Sequence, residues 1–261
     1  MATKIGTMTN EERLRKTIRL EKTDKILSAP GINTFAATYA GITVKEFLSD
    51  PVKAEAAYEK TFNELGGWDI VRASVAGADG GIGNVMRRVM PGRDLPDNVI
   101  NQISEEEIML PEDYDFAIEN GFNALQKRLQ QRMNPPGPNQ EERQRLAAEA
   151  ARQAQANAEK WRFRGLARLA GGAIGSHPFN WFSFHRSLPK FSMDVRRMPD
   201  KVKAAIKACL PDMIANGKRI AETTGCRRVT NPNARGSSTF ISAKQFEEFV
   251  LPYWLEVVWA L

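Results

Sequence analysis

The chain has 261 residues, with 37 Lys and Arg against 31 Asp and Glu, a net charge of +6 and a pI near 9.4. A hydrophobic fraction of 42% excludes an unfolded polyelectrolyte, and no run of about 18 apolar residues is present to cross a membrane. The basic residues are interleaved with acids, as in Glu11-Glu-Arg-Leu-Arg15, and no zinc-finger, RRM or helix-turn-helix pattern accompanies them, so nucleic acid is not the expected partner. Two cysteines, Cys209 and Cys226, stand outside any C-x-x-C pair, so they make neither a disulfide framework nor a structural zinc site. The expectation is a reduced, cytoplasmic protein with no membrane segment.

Thr9 followed by Glu12 is a capping box that opens a helix running to Arg19. Residues 25–32 read as a strand feeding a Pro-Gly loop, 33–40 as an aromatic-bearing segment, and 43–48 as a short helix. Asp50-Pro51 opens a longer helix with Ala54, Ala57, Tyr58, Phe62 and Leu65 on its inner face, stopped by Gly66-Gly67. Residues 68–75 read as the next strand, with a glycine-rich loop, 77–83, at its C-terminal end. That loop lacks the strand–helix context of a dinucleotide fingerprint.

Residues 84–110 read as turns ending in a short extended piece, 103–110, and Pro111 begins another helix. From about 130 to 160 a breaker cluster, Met133-Asn-Pro-Pro-Gly-Pro-Asn139, precedes an Ala/Gln/Glu/Arg-rich stretch, read as an exposed helical insertion. Residues 168–175 lead into a strand-like or loop segment, 176–184. Pro199-Asp200 starts a long helix whose stripe is Val202, Ile206, Cys209, Leu210, Met213, Ile214 and Ile220. Residues 226–230 form a further strand with a polar loop, 231–238, at its end, and Ser242 caps the last helix. The pattern is an α/β protein with about four strand–helix units, half of an eight-unit barrel. The last helix stops at Trp259-Ala-Leu261 in mid-stripe, which raises the expectation of a chain that once continued.

Several stretches together resemble the uroporphyrinogen decarboxylase superfamily. Thr9-Asn-Glu-Glu-Arg-Leu-Arg15 with Glu21-Lys-Thr-Asp-Lys25 is similar to its opening helix and step into the first strand. Phe35-Ala-Ala-Thr-Tyr-Ala-Gly-Ile42, Glu46-Phe-Leu48 and Asp50-Pro51 look like its first loop and second helix, and Met198-Pro-Asp-Lys-Val202 its "R-x-P-D-K-V" helix start. The most specific stretch is Arg235-Gly-Ser-Ser-Thr-Phe-Ile-Ser-Ala-Lys-Gln-Phe-Glu-Glu-Phe-Val-Leu-Pro-Tyr253, which resembles "S-P-x-x-F-x-x-F-x-L-P-Y".

The resemblance implies a (β/α)8 TIM barrel, with residues 1–261 as its N-terminal portion. It implies either methyl transfer from a methylated corrinoid to a thiol, with zinc and a corrinoid as cofactors of the complete enzyme, or cofactor-free decarboxylation of uroporphyrinogen III in porphyrin biosynthesis. Residues 29–39 lack the arginines of the decarboxylase loop, so the methyltransferase-like branch fits the residues better. That branch's zinc ligands fall on later strands, so no metal ligand is assigned within this chain. The implied partners are a small tetrapyrrole or methyl donor, and a corrinoid protein or a chain completing the barrel. A non-catalytic barrel fragment that needs such a chain is the reading from another class.

The candidate substrate-binding residues follow the strand ends. Asn33 and Tyr39 lie in the first loop, and Asp79 runs through the place of the decarboxylase aspartate. His177 and Asn180 follow the third strand and could face the barrel mouth; a loop histidine satisfied by backbone is the plainer reading of His177. Arg235, Ser237 and Ser238 follow the fourth, where Arg235 suits a carboxylate and the alternative is a helix-capping, solvated loop.

Overall fold

A computed structural model describes residues 6–71, 88–133 and 140–261. The chain divides into two compact units, one made of residues 1–80, 89–102 and 137–170 and the other of residues 81–88, 103–136 and 171–261. Both are mostly helical, with a few two-residue strands. Two of these, β2 (Arg88–Val89) and β3 (Gln102–Ile103), fall where the chain passes from one unit to the other.

In the first unit, α1 (Asn10–Ile18) starts at the reciprocal Thr9–Glu12 capping box, and α3 (Val44–Ser49) repeats the device with Thr43 and Glu46. Between them lies α2 (Phe35–Ala40), closed by Gly41 at φ 80°. α4 (Pro51–Glu64) begins where the Asp50 carboxylate accepts from the Val52 and Lys53 N–H groups. Ala36, Ala37, Phe47, Ala54 and Ala57 are buried together where α2, α3 and α4 meet, and small residues let these short helices approach. Leu65, expected on the inner face of α4, is 50% exposed instead. It caps the helix and lies past its last turn.

Residues 25–32 do not form a regular strand. Ser28 nevertheless accepts from the Asp69 and Ile70 N–H groups at 2.9 and 3.3 Å. It also donates its own N–H to the Asp69 carboxylate at 2.9 Å. β1 (Ile70–Val71) then pairs in parallel with β4 (Ala167–Arg168), in the register Ile70 with Ala167 and Val71 with Arg168. The expected continuation of β1 toward residue 75, and the glycine-rich loop with Asp79, lie outside the described residues.

The polar stretch after the breaker cluster is α6 (Gln140–Phe163). It is not wholly an excursion, because Trp161 in its last turn is fully buried. Tyr58, Phe62, Trp68 and Trp161 form a ring in which each aromatic meets two others edge-on, with centroids 4.8–5.3 Å apart.

The second unit is built on α5 (Glu112–Met133) against α9 (Pro199–Thr224). The expected apolar stripe of α9 is buried at Val202, Ile206, Cys209, Leu210 and Met213, and packs with Tyr114, Phe122, Leu125 and Leu129 of α5. α5 is broken at Gly121, which takes φ 79° and ψ −175°. β5 (Gly172–Ala173) pairs in parallel with β6 (Val229–Thr230). The bonds continue at either side, from Gly171 N–H to Arg228, from Ile174 N–H to Thr230, and from His177 N–H to Pro232.

The segment after β5, expected as strand or loop, is a helix, α7 (Pro178–His185). Its aromatic residues favour strands locally. Pro178 in the first turn and full burial against the α5–α9 pair override that preference. α8 (Leu188–Arg197) follows, and a 3-10 turn (Ala234–Gly236) follows β6. The single last helix expected from Ser242 is two, α10 (Ala243–Phe249) and α11 (Leu251–Ala260). The break falls at Val250, because Pro252 has no N–H to continue the ladder.

The class is therefore α/β, mostly helical, with short parallel strand pairs, and no barrel is formed among the described residues. No helix among them is long and apolar enough to cross a membrane.

Candidate functional site

The loops after β5 and β6 bring most of the candidate residues together in the second unit. The Asn180 carboxamide oxygen accepts from the Arg235 backbone N–H at 2.9 Å, and its nitrogen donates to the Ser176 hydroxyl at 2.6 Å. Ser176 donates in turn to the Pro232 carbonyl. Asn231 donates to the Gly175 carbonyl at 2.8 Å and accepts from the Trp254 indole N–H at 2.6 Å. Side-chain amides thus tie each loop to the backbone of the other, and anchor both to α11.

His177 lies beneath this knot. Its ring is buried, 6.0 Å from Trp254 and edge-on to it. Nδ1 accepts from the Phe179 N–H at 3.2 Å and so caps α7. Nε2 has no hydrogen-bond partner among the described residues. Burial drives the pKa down to about 3, against a weaker opposing pull from the Val250 backbone. His185, at the other end of α7, is also buried and stacks on Trp181 at 3.7 Å. Burial lowers its pKa to about 4, partly offset by the Trp181 carbonyl 2.6 Å from Nδ1. Both rings are neutral at pH 7.

Arg235 is neither solvated nor open. It is buried, donates to the Ser183 carbonyl at 2.7 Å, pairs with Glu105, and lies 3.7 Å above the Phe184 ring. Burial lowers its pKa, and Glu105 opposes that shift. A second buried arginine, Arg186, sits at the C-terminal cap of α7. It holds Asp194 through Nε at 2.7 Å, pairs with Glu107 and donates to the Met109 carbonyl at 2.9 Å. Tyr114 donates to the same Asp194 at 3.0 Å; desolvation first, then the Asp194 charge, push its pKa up. Ser237 and Ser238 are exposed at the end of the 3-10 turn.

The other candidates are elsewhere. Asn33 is exposed with φ 44°, and Tyr39 is half-buried in α2 beside Phe35. Desolvation and then Glu64 raise the Tyr39 pKa. Asp79 lies outside the described residues. Sequence reasoning passed over Arg186, Glu105 and Glu107. The available signal was the acidic run 105–107, which can place alternate carboxylates on one side of an extended chain.

The described residues do not fit the zinc site that the family resemblance implies. No three His, Cys, Asp or Glu side chains among them converge on one point. Cys209 is buried in the apolar stripe of α9, where desolvation keeps its thiol protonated. Neither buried histidine reaches the surface to ligate a corrinoid. No family model, curated protein or solved structure matches this chain.

Proposed function

We propose that this chain supplies the first four strand–helix units of a uroporphyrinogen decarboxylase-type (β/α)8 barrel, acting in methyl transfer from a methylated corrinoid to a thiol in the cytoplasm. The observation that carries the proposal is the order of backbone pairing within each unit. Ser28 joins 69–71, and 69–71 joins 167–169, in the first; 171–174 joins 228–230 in the second. The β1–β4 and β5–β6 pairs are both parallel, and that is the order in which successive strands of a parallel barrel meet. His177, Asn180 and Arg235 then follow the C-terminal ends of β5 and β6, the side on which barrel enzymes place their sites.

Within the same family resemblance, methyl transfer is preferred to decarboxylation because residues 29–39 carry no arginine to meet the substrate carboxylates. The role of the described residues is to hold the loops of the barrel mouth in place. Both cysteines are free thiols, in keeping with a reducing compartment.

The test is titration of methylcobalamin with the full chain, followed by the visible spectrum. A saturable change in the corrinoid spectrum is expected. No spectral change at saturating chain overturns the reading. The alternative, a barrel segment that becomes active only with a partner chain, is favoured by Val258 and Trp259 of α11, which are large, apolar and exposed. It is tested by size-exclusion mass, where a soluble monomer overturns it and self-association through α11 supports it.

A further inference from the structure

The segment 105–109 makes an unusual set of contacts for a connecting loop. Glu105 pairs with buried Arg235 and accepts the Leu188 N–H at 3.1 Å, the first amide of α8. That helix has no capping side chain of its own, and Ser187 before it is held at φ 63°. Glu107 pairs with buried Arg186 and with Lys190. The following amides, Ile108 and Met109, both donate to the His185 carbonyl, at 2.8 and 2.9 Å. The Ile108 carbonyl is taken by Arg132. Two carboxylates from one short run thus cover two guanidinium groups beside the last turn of α7, since Arg235 is bound to the Ser183 carbonyl and Arg186 caps that helix.

We infer that Glu105 and Glu107 act as an internal ligand filling an anion site, and that a small dicarboxylate is the external ligand this site takes in their place. Charge carries the assignment. Beneath the two glutamates stand Arg186, Lys190 and Arg235, with Asp194 as the carboxylate that remains, so the site without them has a net charge of +2. Geometry narrows the class. Glu105 and Glu107 stand two residues apart, their Cα atoms within about 7 Å, and a dicarboxylate is the simplest single molecule that offers the two arginines the two carboxylates they now hold. Arg186 and Arg235 are buried and fixed by other bonds, Arg186 by Asp194 and the Met109 carbonyl, Arg235 by the Ser183 carbonyl and the Phe184 face. The cationic half of the site is therefore pre-organised. The glutamates are the movable half, each retaining exposure to water. This inference stands apart from the barrel reading and survives its failure.

The experiment is thermal unfolding of the wild type and of the double variant Glu105→Ala/Glu107→Ala, in succinate or glutarate and in sodium chloride of equal ionic strength. The variant melts lower in chloride. The dicarboxylate is expected to raise its Tm by about 2–4 °C or more above the chloride value. The wild type, whose own glutamates hold the site, is expected to rise by less. General salting-out stabilisation acts on both proteins alike and cancels in the comparison. A rise in the variant no larger than in the wild type overturns the inference. If the double variant does not fold, Glu107→Ala with acetate gives the same comparison, since one cation pair is then vacant.

Discussion

Asp212, in the middle of α9, accepts the backbone N–H of Asn123 at 2.8 Å, one residue into the second half of α5. A side chain from a neighbouring helix thus does for α5 what a capping residue does at a helix start. It takes up a first-turn amide exposed by the break at Gly121. The two helices also lie close at the break: a Cβ on Gly121 would lie 2.9 Å from the same Asp212 oxygen.

Two substitutions separate these roles. Asp212→Ala leaves the Asn123 amide unpaired and is expected to cost about 1 kcal/mol, in the range of a lost N-cap. Gly121→Ala forces a side chain into the left-handed region as well as onto Asp212, and is expected to cost more than Asp212→Ala. Urea unfolding midpoints of the two variants decide the order.

Stability is expected to fall as pH drops below about 6.5. The ordinary histidine value is 6.5, and burial brings His177 to about 3 and His185 to about 4 in the folded chain. Below 6.5 the unfolded state therefore binds protons that the folded state does not. The folded state loses ground at up to about 1.4 kcal/mol per pH unit for each histidine, until pH approaches the folded values. Above 6.5 neither histidine contributes a slope. Unfolding midpoints at pH 8, 7, 6 and 5 should be level across the first two and decline across the last two.

Arg235→Lys is expected to destabilise by about 1–3 kcal/mol although charge is kept. An ammonium cannot both reach the Ser183 carbonyl and meet Glu105 while lying flat on Phe184, as the guanidinium does. A double-mutant cycle of Arg235→Lys with Glu105→Gln should show strong non-additivity. Additive effects would place the stabilisation in the Phe184 stacking instead.

Two aromatic residues at the end of α6 should respond very unequally. Trp161 is fully buried within the four-ring cluster, and Trp161→Ala is expected to cost about 3–5 kcal/mol with loss of near-ultraviolet circular dichroism. Phe163, two residues on, is 95% exposed, and Phe163→Ser should change stability by no more than about 0.5 kcal/mol. Equal effects would contradict the placement of the helix end.

Several helix starts were legible residue by residue. Thr9 with Glu12, Asp50 with Pro51, and Pro199 each open the helix expected of them, Ser242 opens the first of the two helices that replace the single one expected, and the α9 stripe is buried as its spacing requires. Caps and stripes involve residues three or four apart, so the information is local and survives in one dimension. The strands were less legible: parallel pairs involve residues 70–71 and 229–230, inside expected strands, but their partners are 167–168 and 172–173, read only as the lead-in to a segment that is instead α7, and each strand is two residues long. What the sequence could not decide was the state of its polar candidates. Arg235 and Glu105 are 130 residues apart, and Asn180 is 55 from the Arg235 amide it accepts. Whether an arginine after a strand faces a ligand or a glutamate of its own chain depends on which distant segment is packed over it. Helix ends were therefore settled by neighbours along the chain, and the site by tertiary packing, because an ion pair or a buried amide is satisfied through space, at any separation in sequence.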